Sequence, residues 1–152
     1  MATWTFTKIN DWIENLANAD VDANADTFAI ALSNTAPGSE TPVPTADGNG
    51  VLANVTQIAY TNYTDSLTVD RVLEGVTSAQ TGGTYAFDAS NFSITASGGA
   101  IATFRYLYVY DDTAAAPADP LVGVWDAGAE INLADGDTLN VNVNASGLYT
   151  VA

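Results

Sequence analysis

The run IATFRYLYVY, residues 101–110, restricts the fold of this chain more than any other stretch. Its β-branched and aromatic residues suit a pleated, packed surface. Strand alternation puts Ile101, Thr103, Arg105, Leu107 and Val109 on one face and Phe104, Tyr106, Tyr108 and Tyr110 on the other. Neither face suits water, so the strand belongs in the middle of a sheet covered on both sides. Arg105 is the exception. It is one of three side-chain cations, with Lys8 and Arg71, in a chain with 18 acidic residues and net charge -15. A cation in such a place needs a carboxylate. Asp88 and Asp126 are the candidates within the chain, and an acid of a second subunit is the alternative.

Around this strand the hydrophobic period changes once. From Lys8 to Asn18, Ile9, Trp12, Ile13 and Leu16 recur at helical spacing, which predicts a helix over about 8–18 with Thr7 as N-cap, lying over an edge or end of the core. Beyond it the period is near 2 and the punctuation is Gly, Asn, Asp and Pro. Strands are expected near 27–33, 55–60, 66–76, 84–88, 91–96, 101–110, 121–126, 129–133, 137–143 and 147–151. SGG at 97–99 and ADG at 134–136 read as tight turns. DDTAAAPADP, 111–120, reads as a loop at one end of the sheet, and the polar, proline-bearing stretch 33–50 as a surface arm. The expected fold is mainly β: a jelly-roll-like antiparallel β-sandwich with one short N-terminal α-helix, in a single domain over 1–152.

A chain of 152 residues buries enough surface, roughly 70% of what its unfolded form exposes, to fold without staples. None are available, because there is no cysteine. With no histidine either, the usual general base, the thiol nucleophile and the commonest transition-metal ligands are all missing. Glu14, Glu40, Glu74 and Glu130 share no motif that would set a carboxylate pair across a cleft, and neither GxxxxGK[ST] nor GxGxxG occurs. The expectation is a non-enzyme without cofactor or metal. The closest approach to a metal motif is DVDANAD, 20–26, where Asp20, Asp22, Asn24 and Asp26 alternate as in the first half of an EF-hand loop. Ala25 then stands where that loop needs glycine, and Ala31 where it needs the bidentate glutamate. Scarce cations disfavour nucleic acid and anionic lipid as partners. The start, MATWTFTKINDW, lacks a basic-then-apolar leader, and no window approaches the ~18 apolar residues of a membrane span, so neither export nor insertion is expected.

Five segments carry a resemblance that covers nearly the whole chain: NDWIENLANADVDANADTFAIALSNTAP, VLANVTQIAYTNY, SAQTGGTYAFDASNFSITASGGAIATFRYLYVYDDT, DPLVGVWDAG and INLADGDTLNV. In this order they resemble a family of small virion structural proteins of tailed bacteriophages. The resemblance implies a virion structural component, and the compact size without a fibrous repeat favours a capsid decoration, or cement, protein on the outer capsid surface of the virion, with the major capsid protein and further copies of itself, as a homotrimer, for partners. A tail or fibre component is the alternative, and a soluble carbohydrate-binding β-sandwich a second one. The family supplies no binding residues. From charge and exposure, the expected capsid or subunit contacts are Trp4 and Phe6 as apolar anchors, Pro37, Pro42 and Pro44 in the arm, and Arg71 and Arg105 as interface cations.

Overall fold

A computed structural model describes residues 4–143 and 147–151. Among the described residues ten strands and one α-helix follow one another as β1 (Thr5–Lys8), α1 (Asn10–Asn18), β2 (Phe28–Ser33), β3 (Tyr63–Asp65), β4 (Thr77–Thr81), β5 (Thr84–Asp88), β6 (Phe92–Ala96), β7 (Phe104–Asp111), β8 (Leu121–Ile131), β9 (Thr138–Val141) and β10 (Tyr149–Val151). A four-stranded sheet, β1-β8-β7-β2, faces two three-stranded sheets, β10-β5-β4 and β3-β6-β9. All strand pairs are antiparallel. The mainly β sandwich with one short helix, expected from the sequence, is what the chain forms.

β7 lies inside the four-stranded sheet, where its doubly apolar pattern requires it to be. On the inner face Phe28, Ile30, Leu32, Leu107, Val109 and Val122 pack against Phe87, Phe92, Ile94 and Val141 of the opposing sheets. On the outer face Tyr106, Tyr108, Tyr110, Ala29, Ala31, Leu121 and Val124 form a second buried cluster. Strict alternation fails at one point. Phe104 packs in the inner cluster with Leu107, and not with the tyrosines. The cause is a register shift: Tyr106 faces Asp126 whereas Phe104 faces Ile131, so β8 bulges over the residues between, with Gly128 at φ 77°. The same bulge explains why 121–126 and 129–133 read as two strands although β8 is continuous from Leu121 to Ile131.

The helix begins later than expected. Thr7 is not its N-cap, because β1 runs on to Lys8 in register with Gly123 of β8. Ile9 occupies the cap without a side-chain hydrogen bond, its N–H donating instead to the Val122 carbonyl at 3.0 Å. Ala19, left-handed at φ 61°, closes the C-terminus, with Asp20 N–H donating to Asn15 O at 2.9 Å. Trp12 is fully buried at the mouth of the sandwich, edge-on to Phe28 and Phe87, and its indole N–H donates to the Tyr149 hydroxyl.

Two expected strands are absent. Residues 66–76 turn back on themselves because carboxylates satisfy their backbone. Asp65 accepts from Leu67 N–H at 3.1 Å and Arg71 N–H at 3.0 Å, and Glu74 accepts from Thr68 N–H at 2.6 Å. Residues 55–60 are irregular and lie beside β2, Ile58 N–H donating to Leu32 O at 2.9 Å. β1, β3 and β4 are the strands the pattern missed. TSAQT in β4 is nearly all exposed, so no apolar alternation marks it.

The stretch 33–50 is at the surface, as expected, but it is not a free arm. Ser33 is the last residue of β2 and fully buried, and Glu40 is only 6% exposed. Ala36, Leu52 and Val55 from 34–58, together with Ile9 and Val72, cover the outer tyrosine cluster. The turns at 97–99 and 134–136 form as read, with Gly98, Gly99 and Gly136 all at positive φ. They lie side by side, Gly98 N–H donating to Asp135 Oδ1 at 2.8 Å and Gly136 N–H to Ala96 O at 2.9 Å.

Candidate functional site

The seven expected contact residues do not converge on one site. Trp4 and Phe6 sit together at the β1 edge of the four-stranded sheet, both half-buried. Phe6 meets the buried Trp125 edge-on, ring centroids 5.2 Å apart. Its ring lies over Gly123, where a Cβ would come within 2.2 Å of it, so only glycine admits this packing. Trp4, Phe6 and Trp125 line a recess of about 510 Å³ with Asn142, Val143 and Leu148. Pro37, Pro42 and Pro44 are spread along the outer cover: Pro42 is exposed, Pro37 half-buried and Pro44 buried.

Both arginines are engaged within the chain. Arg105 Nε and Nη2 donate to Asp126 Oδ1 at 2.7 Å and Oδ2 at 2.9 Å, a two-pronged pair that raises the guanidinium's affinity for its proton. Asp126 is thus the partner, and Asp88 instead accepts from Ala89 N–H at 2.8 Å. The pair is half-exposed, and Arg105, the second residue of β7, sits beside the bulge near the start of the strand. Arg71 lies over the Tyr60 ring, 4.1 Å from its centroid, with Asp70 at 3.5 Å. The Tyr60 hydroxyl accepts from Leu32 N–H at 2.9 Å and donates to Gln57 at 2.8 Å, which ties this corner to the edge of β2. Burial, first of all, pushes the Tyr60 phenol above its usual range.

Two of the DVDANAD carboxylates, Asp22 and Asp26, are turned onto the segment's own backbone. Asp22 Oδ1 accepts from Asn24 N–H at 2.9 Å, the Asp22 carbonyl from Ala25 and Asp26 N–H, and Asp26 Oδ2 from Asp22 N–H. A groove of about 340 Å³ beside α1 collects Asp11, Glu14, Asp20 and Asp47. Among the described residues no three carboxylates come close enough together to hold a metal ion. Sequence reasoning missed the recess, because Trp125 and Leu148 reach it only through the fold. It also missed the structural use of Glu40, whose carboxylate accepts from Thr56 N–H at 3.0 Å and Thr56 Oγ1 at 2.9 Å.

No family model, no curated protein and no solved structure matches the chain.

Proposed function

We propose that this protein is a capsid decoration protein of a tailed bacteriophage, binding the outside of the shell as a homotrimer and bridging major capsid subunits. The observation that carries the reading is the ordered set of segments that resemble small phage virion proteins, from NDWIENL at the helix to LADGDT before β9. The architecture is compatible with that role. A sandwich whose central sheet is covered on both faces is a rigid block, and its contacts then fall to rims and edges. Trp4 and Phe6 offer apolar surface at one edge, and Pro42 with Thr45–Gly48 forms an exposed rim on the cover. Since each arginine already has a carboxylate in its own chain, subunit contacts that use Arg71 or Arg105 would extend these pairs without replacing them.

The test is binding of purified protein to capsids that lack it. Pro42→Ser combined with Asp47→Lys alters the exposed rim and leaves Glu40 and Pro44 in place. Weakened capsid binding with an unchanged melting temperature is the expected result, and sedimentation equilibrium should give a trimer. Labelling of tails in electron micrographs would overturn the decoration reading in favour of the tail component, and no affinity for virions would overturn both. A carbohydrate-binding role is favoured by the aromatic recess, since Trp4 and Phe6 present rings of the kind that stack on sugar faces. Quenching or enhancement of tryptophan fluorescence by oligosaccharides, lost in Trp4→Ala, decides for that reading.

A further inference from the structure

β2 and β7 pair with Phe28 opposite Asp111, and the two chains continue side by side beyond that point. Asp112 N–H donates to Thr27 O at 2.8 Å and Thr27 N–H to Thr113 Oγ1 at 2.8 Å. This brings Asp26, half-buried at the end of the 20–26 turn, beside Asp111, near enough for its carboxyl to raise that of Asp111. Asp111 is fully buried. Its Oδ1 accepts from Thr113 N–H at 2.8 Å and Ala114 N–H at 3.1 Å, whereas its Oδ2 has no partner donor. Two ionised carboxylates have only acceptors to offer each other, so the pair lacks a hydrogen atom unless one group is protonated.

We infer that Asp26 and Asp111 together form a buried proton-binding site, one proton shared between the two carboxyl groups latching the 20–26 turn to the end of β7. The O–H on one group donates to the other, which satisfies the orphaned oxygen and removes one of two adjacent negative charges. Among the described residues no cation forms an ion pair with either carboxyl. Arg71 lies over Tyr60 and beside Asp70, and Arg105 is held by Asp126. Asp112 and Asp119, on the loop after β7, are further acids, which act on each other and on Tyr110. Burial raises the Asp111 carboxyl to about 6, the N–H bonds from Thr113 and Ala114 oppose it, and Asp26 adds to the rise. Because the folded value lies above the ordinary 3.8, the contribution to stability is fully present below that pH and is lost as pH rises through about 6.

The experiment uses the intact chain. A ¹³C titration of the aspartate carboxyls should show one group, assigned to Asp111 in the wild-type chain by through-bond correlation to its own backbone amide, with a midpoint near 6, clear of the other acids. Between pH 5 and 7.5 the wild-type folding equilibrium constant should fall about ten-fold through this site. Asp111→Asn, whose amide can donate to Asp26 at any pH, should lose that component of the slope. In Asp26→Asn the Asp111 midpoint should drop, because its acidic neighbour is gone. A midpoint for Asp111 in the ordinary carboxylate range overturns the proposal, and this readout decides even if Asp111→Asn does not fold. Addition of Ca²⁺ alone at pH 7.5 separates a second case. A saturable rise in wild-type melting temperature at micromolar Ca²⁺, absent in Asp26→Asn, overturns the shared proton in favour of a cation site.

Discussion

The two faces of the four-stranded sheet are buried to a similar degree by different means. Inside, Phe28, Ile30, Leu32, Leu107 and Val109 meet the side chains of other strands, and ladders satisfy the backbone on both sides. Outside, Tyr106, Tyr108 and Tyr110 are covered by 34–58, a stretch with two short 3₁₀ turns and no strand. There the backbone relies on side chains. Glu40 holds Thr56, Asp11 Oδ2 accepts from Gly50 N–H at 2.8 Å, and Asn54 Nδ2 donates to Asn49 O at 2.9 Å. An irregular cover of this kind is specified by single polar residues, whereas the inner core is specified by a pattern repeated across several strands. The Tyr108 hydroxyl, buried without a hydrogen-bond partner, marks the looser accounting on the outer side.

Truncation separates the two faces most strongly. Phe28→Ala removes a ring that is 1% exposed and that touches Trp12 and Phe87 edge-on, so it should cost ~3–5 kcal/mol in denaturant unfolding. The loss should be global, with no segment surviving it. An effect below ~1.5 kcal/mol would mean that the inner face repacks and that the contrast drawn between the faces is false.

Glu40→Ala comes next. It strands the Thr56 N–H and hydroxyl under the cover, with an expected cost of ~1.5–3 kcal/mol. Here the loss should be local. Hydrogen exchange should accelerate across 51–58 while β6 and β9 keep their protection. Uniform acceleration would show that the cover and the core unfold as one unit, which removes the distinction between them.

This contrast also sets what the sequence discloses. The inner core is legible because alternation in TFAIAL, FSITA and FRYLYVY states which side chains share a face. The helix is legible for the same reason, its stripe leading Trp12 into the sandwich. Its start is not, since Thr7 satisfies a cap pattern while its backbone is committed to β8 by tertiary pairing. Residues 66–76 carry enough apolar side chains to resemble a strand, yet Asp65 and Glu74 bond the backbone into turns, and a period has no register for such bonds. The candidate surfaces are least legible. Trp4 and Phe6 could be named in advance, but Trp125 and Leu148 join them only across the sheet. The Asp26–Asp111 pair is likewise set by strand register, 85 residues being spanned by one pair of carboxyls.

The smallest effect is expected at Arg105, the one charged residue in the run IATFRYLYVY. In the interior, removing one half of an ion pair leaves a stranded charge and is strongly destabilising. Here the Arg105 and Asp126 side chains are 36% and 38% exposed, so water replaces whichever partner is lost. Arg105→Gln should therefore shift the melting temperature less than either substitution above. Asp126→Asn should do somewhat more, because Asp126 Oδ1 also accepts from Gly128 N–H at 2.8 Å and so pins the β8 bulge. The pH dependence has a fixed sign. Arg105 first of all, with the Gly128 N–H, holds the Asp126 carboxyl below its ordinary range, so the pair's contribution is present above the ordinary carboxylate value and disappears as pH falls through the folded one. Melting curves of wild type and Arg105→Gln should accordingly converge in strong acid and separate slightly at neutral pH. A separation as large as that of Glu40→Ala would place Arg105 among the buried supports of the fold and move the boundary between pattern-specified and residue-specified structure into β7 itself.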